Sequence, residues 1–163
     1  MAFLKTLKAK AILPPQHWSY DVAPAISYIA SLGSTNNLLD DLLTAKTAWI
    51  LAMVGFLRLS YLARMDLEKC SASEDKVLRL CIMAPNETRQ GSRITKTITI
   101  HSHQDLLLCP VTAYSTYVSW IASVTCYAAH PAFPLINIHC LFRSLADHSQ
   151  PIRPNESPST SAG

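Results

Sequence analysis

The sequence predicts a mainly helical α+β domain in which a buried central helix is followed by a small antiparallel β-hairpin. Three observations predict it. The stretch DDLLTAKTAWILAMVG is apolar on nearly every side, which marks a helix enclosed by protein. VLRLCIMA and RITKTITI shift to the β-branched, two-residue pattern of strands, and PNETRQGS between them carries Pro85, Asn86 and Gly91 to turn the chain. The chain has 163 residues, of which 49% are hydrophobic and 15% charged, so it can enclose a core of its own.

The elements follow in order. Residues 1–16, MAFLKTLKAKAILPPQ, carry Lys5, Lys8 and Lys10 without an acid; lacking arginine and a clear cleavage site, they read as a remnant segment outside the domain. The domain itself spans 17–152. Its first helix places Val22, Ile26 and Ile29 at helical spacing and stops at Gly33. The central helix starts at Asp40-Asp41, where two acids suit the positive end of the helix dipole, and is interrupted at Gly55. A short helix through LSYLARM follows, with Arg58 exposed at the junction. In the second strand Ile94, Lys96, Ile98 and Ile100 share one parity and Thr95, Thr97 and Thr99 the other, so Lys96 points with the isoleucines. Cys109-Pro110 opens a further helix with Val111, Tyr114, Val118 and Ile121 on one stripe. Beyond it, YAAHPAFPLINIHCLFRSLADHSQ is broken by prolines and reads as irregular, and residues 153–163 read as a disordered tail.

Composition excludes several classes. No apolar run is long enough to cross a bilayer. The five cysteines are unevenly spaced without a Cys-x-x-Cys pair, which predicts free thiols in a reducing compartment, nuclear or cytoplasmic. His101 and His103 share a strand face but have no third ligand, so neither a metal nor another cofactor is expected, and no small-molecule substrate. Charge is the more informative signal. The net charge is only +3, yet from Lys76 to His103 the cations Lys76, Arg79, Arg89, Arg93 and Lys96 face Glu87 alone. A basic ribbon rich in threonine hydroxyls suits phosphate contacts, which makes Arg79, Arg89, Arg93 and Lys96 candidate DNA-binding residues and double-stranded DNA the expected partner. Arg58 poses a separate question, because a desolvated guanidinium needs an anion. Asp66 or a helix C-terminus can supply it from within, or a ligand can from without.

The run LLDDLLTAKTAWILAMVGFLRLSYLARMDL, then VLRLCIMAPNETRQGSRITKTITI, then LLCPVTAYSTYV, resembles the catalytic domain of tyrosine recombinases, above all the integrases of DIRS- and Crypton-type mobile elements. The resemblance implies DNA strand breakage and rejoining by a tyrosine that attacks the scissile phosphate, with arginines stabilising the charge on its oxygens. It implies that Arg58 is the first catalytic arginine, suited to clamp two phosphate oxygens. The pattern then departs. Tyr61 stands where the family has an acid, and Asn86 stands where it has the general-acid lysine; an amide has no proton to deliver at neutral pH. Lys96 is the remaining lysine candidate for that role. HCLFR, from His139 to Arg143, is one residue too long and too early to be the family's His-x-x-Arg motif, and none of Tyr114, Tyr117 or Tyr127 occupies the nucleophile's place. The expectation is therefore a recombinase remnant, truncated before those motifs, that keeps DNA binding without catalysis. The alternatives are an active recombinase whose missing motifs lie in a continuation of the chain, and a protein-interaction remnant that self-associates weakly through apolar surface.

Overall fold

A computed structural model of the chain describes the backbone at residues 20–83, 88–89, 92–93 and 95–152, and the side chains at 20–83 and 95–152. It is α+β: helices cover one face of a small antiparallel sheet, and a two-stranded hairpin closes one side. Among the described residues no helix is long and apolar enough to cross a membrane.

Helix α1, Ala23–Ser31, carries Pro24 in its first turn and ends at Gly33, whose φ of +80° is the left-handed conformation that glycine adopts without steric cost. Of the predicted stripe only Ile29 is buried, against Ile50 and Ala113, while Val22 and Ile26 stay exposed. The helix lies at the rim of the core and presents a single turn to it.

Helix α2, Asp40–Gly55, is the central helix, but its enclosed face is not purely apolar. Thr44, Lys46 and Thr47 are buried beside Leu43, Ile50 and Leu51. Each polar atom finds a carbonyl: Thr44 Oγ1 donates to Asp40 O at 2.7 Å, Thr47 Oγ1 to Ala113 O at 3.4 Å and Lys46 Nζ to Gly33 O at 3.0 Å. Lys46 thereby caps the carboxy-terminal end of α1. Burial lowers its pKa, and Asp105 partly offsets that by favouring the charged form. Met53 and Val54, which an all-round apolar helix would bury, are exposed.

Strands β1 (Ser71–Ala72), β2 (Val77–Ile82) and β5 (Lys96–His101) form an antiparallel sheet in the order β1-β2-β5. Leu78 faces Ile100, Leu80 faces Ile98 and Ile82 faces Lys96, so these six side chains share one face. That face packs on Leu43, Leu51, Tyr61, Met65, Tyr114 and Phe142 to make the main core. Between β2 and β5, β3 (Thr88–Arg89) and β4 (Ser92–Arg93) pair antiparallel, Thr88 with Arg93 and Arg89 with Ser92. The predicted hairpin is therefore present, although its turn residues lie outside the described residues.

Helix α3, Leu59–Leu62, is a single turn, and α4, Pro110–Trp120, follows Cys109 as predicted. On α4 Tyr114 and Tyr117 are core residues along with Ala113, and Ile121 is buried just beyond its end.

The segment predicted to be irregular instead forms a hairpin, β6 (Tyr127–His130) and β7 (Phe133–His139). Proline is incompatible with a central strand, but a two-stranded sheet has only edges, so Pro131 at the turn and Pro134 on β7 remove no ladder bond that the sheet requires. His130 pins the hairpin to the rest of the fold. Its buried ring places Nε2 2.9 Å from Met83 O, and Nδ1 accepts from Ala132 N at 3.1 Å, with Phe133 stacked on it. The hairpin's stem brings Cys140 N to Cys126 O at 2.9 Å and Leu141 N to Met65 O at 3.4 Å.

Candidate nucleic-acid interface

Arg58 is positioned by the way α2 stops. Gly55 closes the helix, Phe56 turns left-handed at φ 49° and ψ 47°, and the N–H groups of Phe56 and Leu57 donate to Met53 O at 3.4 Å and Ala52 O at 2.8 Å. This paired bonding is a Schellman stop with Leu57 tucked into the core. A Cβ at position 55 would come within 2.9 Å of Leu57 Cγ, so glycine is what lets Leu57 fold back. Arg58 then leaves in extended conformation as the residue that precedes α3, and its carbonyl accepts from Tyr61 N at 2.8 Å.

The Arg58 side chain is exposed. Among the described residues it has no hydrogen-bond or ion-pair partner. Asp66, the acid that sequence offered as an internal partner, is buried and already engaged: it accepts from Glu68 N at 3.2 Å and pairs with Lys69 at 3.5 Å. Exposure removes the need for an internal anion, since a solvated guanidinium has no desolvation cost to recover. Around it Met53, Val54, Phe56 and Leu59 are also exposed, the last two almost completely.

Tyr61 is buried, with Lys96 Nζ over its ring at 5.7 Å from the centroid. Lys96 is half-buried on the isoleucine face, as its parity predicts. Tyr61 thus connects the turn of Arg58 to the first residue of β5, and the position where the resembled family has an acid is an aromatic ring facing a cation.

The four hairpin cations do not form one surface. Arg79 pairs with Thr99 and lies on the face opposite Lys96, exposed beside Thr97 and Thr99. Period two accounts for this, because 79 and its partner 99 have the opposite parity to 82 and its partner 96. Arg89 and Arg93 lie on the β3–β4 ladder, with side chains outside the described residues, as does Asn86 altogether. His103 Nδ1 accepts from Asp105 N at 3.1 Å, which ties that ring to its own loop.

Two groups lie outside the site residues that the sequence offered, the second of them the HCLFR segment set aside there as a motif. Burial pushes the Cys109 thiol up, but the Thr112 hydroxyl and the backbone N–H groups of Thr112, His103 and Val111 outweigh it and bring its pKa below the ordinary thiol value. The Cys-Pro helix start is the signal that could have found it. His139 and Arg143 form the second group. Arg143 is wholly buried, and its surroundings are those of the amino-terminal end of α2: its N–H donates to the Tyr117 hydroxyl at 3.0 Å, Tyr117 lies beside Thr44, and the adjacent His148 pairs with Asp40 at 3.3 Å. Arg58 stands beyond the other end of this 16-residue helix.

No protein-family model, curated protein or solved structure matches the chain.

Proposed function

We propose that this chain is a tyrosine-recombinase-type domain that retains DNA-backbone binding and has lost strand cleavage. The observation that carries the reading is Arg58: an exposed guanidinium with no partner among the described residues, set just after a Schellman stop and joined through Tyr61 to Lys96. A solvated arginine after a hydrogen-bonded turn is suited to a phosphodiester, which it can meet with two parallel N–H groups. Exposed Arg79 and the Thr97 and Thr99 hydroxyls add a second contact surface on the outer face of the sheet. Loss of cleavage follows from Tyr61 and Asn86, neither of which supplies the acid or the lysine that the resemblance requires. The partner is double-stranded DNA and the compartment nuclear or cytoplasmic.

Incubation with nicked and intact duplexes, followed by denaturing electrophoresis, tests the chemistry: no covalent protein–DNA adduct is expected, and an adduct would refute the loss of cleavage. Fluorescence anisotropy with duplex DNA tests the binding, with Arg58→Ala and Arg79→Ala reporting the two surfaces separately.

A second reading is self-association, favoured by the exposed Met53, Val54, Phe56 and Leu59 around Arg58. Sedimentation velocity that shows concentration-dependent dimers, lost in Phe56→Ser with Leu59→Ser, together with no DNA affinity, would select it.

A further inference from the structure

Arg143 presents a problem that Arg58 does not. Its side chain is completely buried, and among the described residues no carboxylate lies within ion-pair distance of it. Its neighbours are neutral acceptors: Nη1 donates to His148 O at 3.2 Å, and Nη2 faces His139 Nε2 at 3.3 Å. Arginine only donates, so this contact is a hydrogen bond in the tautomer whose Nε2 accepts and whose Nδ1 carries the hydrogen. Among the described residues neither Arg143 Nε nor His139 Nδ1, both buried atoms, has a hydrogen-bond partner. Two N–H groups unfilled among the described residues, beside a charge with no carboxylate near it, are costly in an interior, and an oxyanion would answer all three.

The edge of the guanidinium that carries Nε and Nη2 is the fork that ordinarily takes two oxygens of an oxyanion. Here one imidazole nitrogen fills half of it, at a distance long for a charge-assisted bond. We propose that Arg143 and His139 form a binding site for a free inorganic oxyanion of the phosphate or sulfate type. The ion is held on the Nε–Nη2 edge, with the His139 ring turning to donate to it. Burial selects a small free ion over a phosphodiester, because a polymer backbone cannot reach a side chain with no exposed surface. His139 is only half-buried and stacks on the exposed Tyr127 ring at 4.9 Å, so this ring pair is the cover past which the ion enters. The site is separate from the DNA surface, since it belongs to the opposite end of α2 from Arg58.

Equilibrium dialysis of the whole chain against radiolabelled inorganic phosphate, at constant ionic strength, tests it. The expected result is one saturable ion per chain, abolished in Arg143→Met and weakened at least tenfold in Arg143→Lys, which keeps the charge but loses the fork. His139→Phe, which leaves the guanidinium in place, is expected to weaken binding as well and serves if the Arg143 variants do not fold. Excess duplex DNA should leave the bound phosphate in place. Absence of saturable binding in the unaltered chain would overturn the proposal. Equal binding in the Arg143 variants, which would mark an adventitious ion only, or displacement by DNA would overturn it too.

Discussion

Phe56→Gly should stabilise the fold. Phe56 sits at the left-handed stop of α2, at φ 49°, with its side chain 93% exposed. A residue with a Cβ pays about 1–2 kcal/mol for that conformation. Glycine avoids the strain but brings a more disordered unfolded chain, which returns about 0.4–1 kcal/mol. Exposure leaves almost no burial to lose, so the net gain is about 0.5–1 kcal/mol, or roughly 2 °C in Tm for a chain of this length. Urea denaturation followed by far-UV circular dichroism reads it as a higher midpoint at unchanged slope. A lowered midpoint would refute the reasoning, because it would mean that Phe56 makes stabilising contacts that outweigh its strain. The same variant bears on function: backbone strain at an exposed aromatic beside Arg58 makes the ring itself a contact candidate. DNA affinity that falls while stability rises would assign it that role.

Three further outcomes follow from the same structure. Burial holds the Lys46 ammonium below its ordinary pKa of 10.5, so the unfolded chain binds more protons in the interval between the two values. Stability relative to Lys46→Met should therefore rise as pH climbs through that interval, and a flat difference in denaturation midpoints would contradict it. Burial pushes Cys70 and Cys140 up to about 11 from 9.0, so the unfolded chain loses these protons first. Their contribution is complete below pH 9.0 and is lost towards pH 11, and the loss should shrink in Cys140→Ala measured by the same midpoints. His130→Leu removes the pin between the β6–β7 hairpin and Met83 O and should cost about 1–3 kcal/mol. Hydrogen exchange should speed up across 127–139 before it does elsewhere, and uniform acceleration would deny the hairpin a local role.

Much of the fold was legible because its signals are local. The alternation in RITKTITI gave the strand and the facing of Lys96, and the proline after Cys109 gave the start of α4. Pairing was not legible to the same degree. Nothing within one strand says that Arg79 and Lys96 occupy opposite faces until the register between β2 and β5 is known. Prolines hid β6–β7, because their effect depends on whether a strand is an edge, a tertiary property. The buried polar groups were the least visible. Lys46 and Arg143 look like ordinary surface cations in sequence, and the carbonyls that accept from them once buried, Gly33 O and His148 O, are brought to them only by the fold.

The central claim is tested most directly by the salt dependence of duplex-DNA binding in fluorescence anisotropy, for the unaltered chain and Arg58→Ala. The account predicts affinity that falls steeply as salt rises, and a slope of log K against log salt that is smaller by about 1 in the variant, the signature of one lost phosphate contact. No binding by a folded, monodisperse chain, or binding whose strength and slope are indifferent to Arg58, would contradict it.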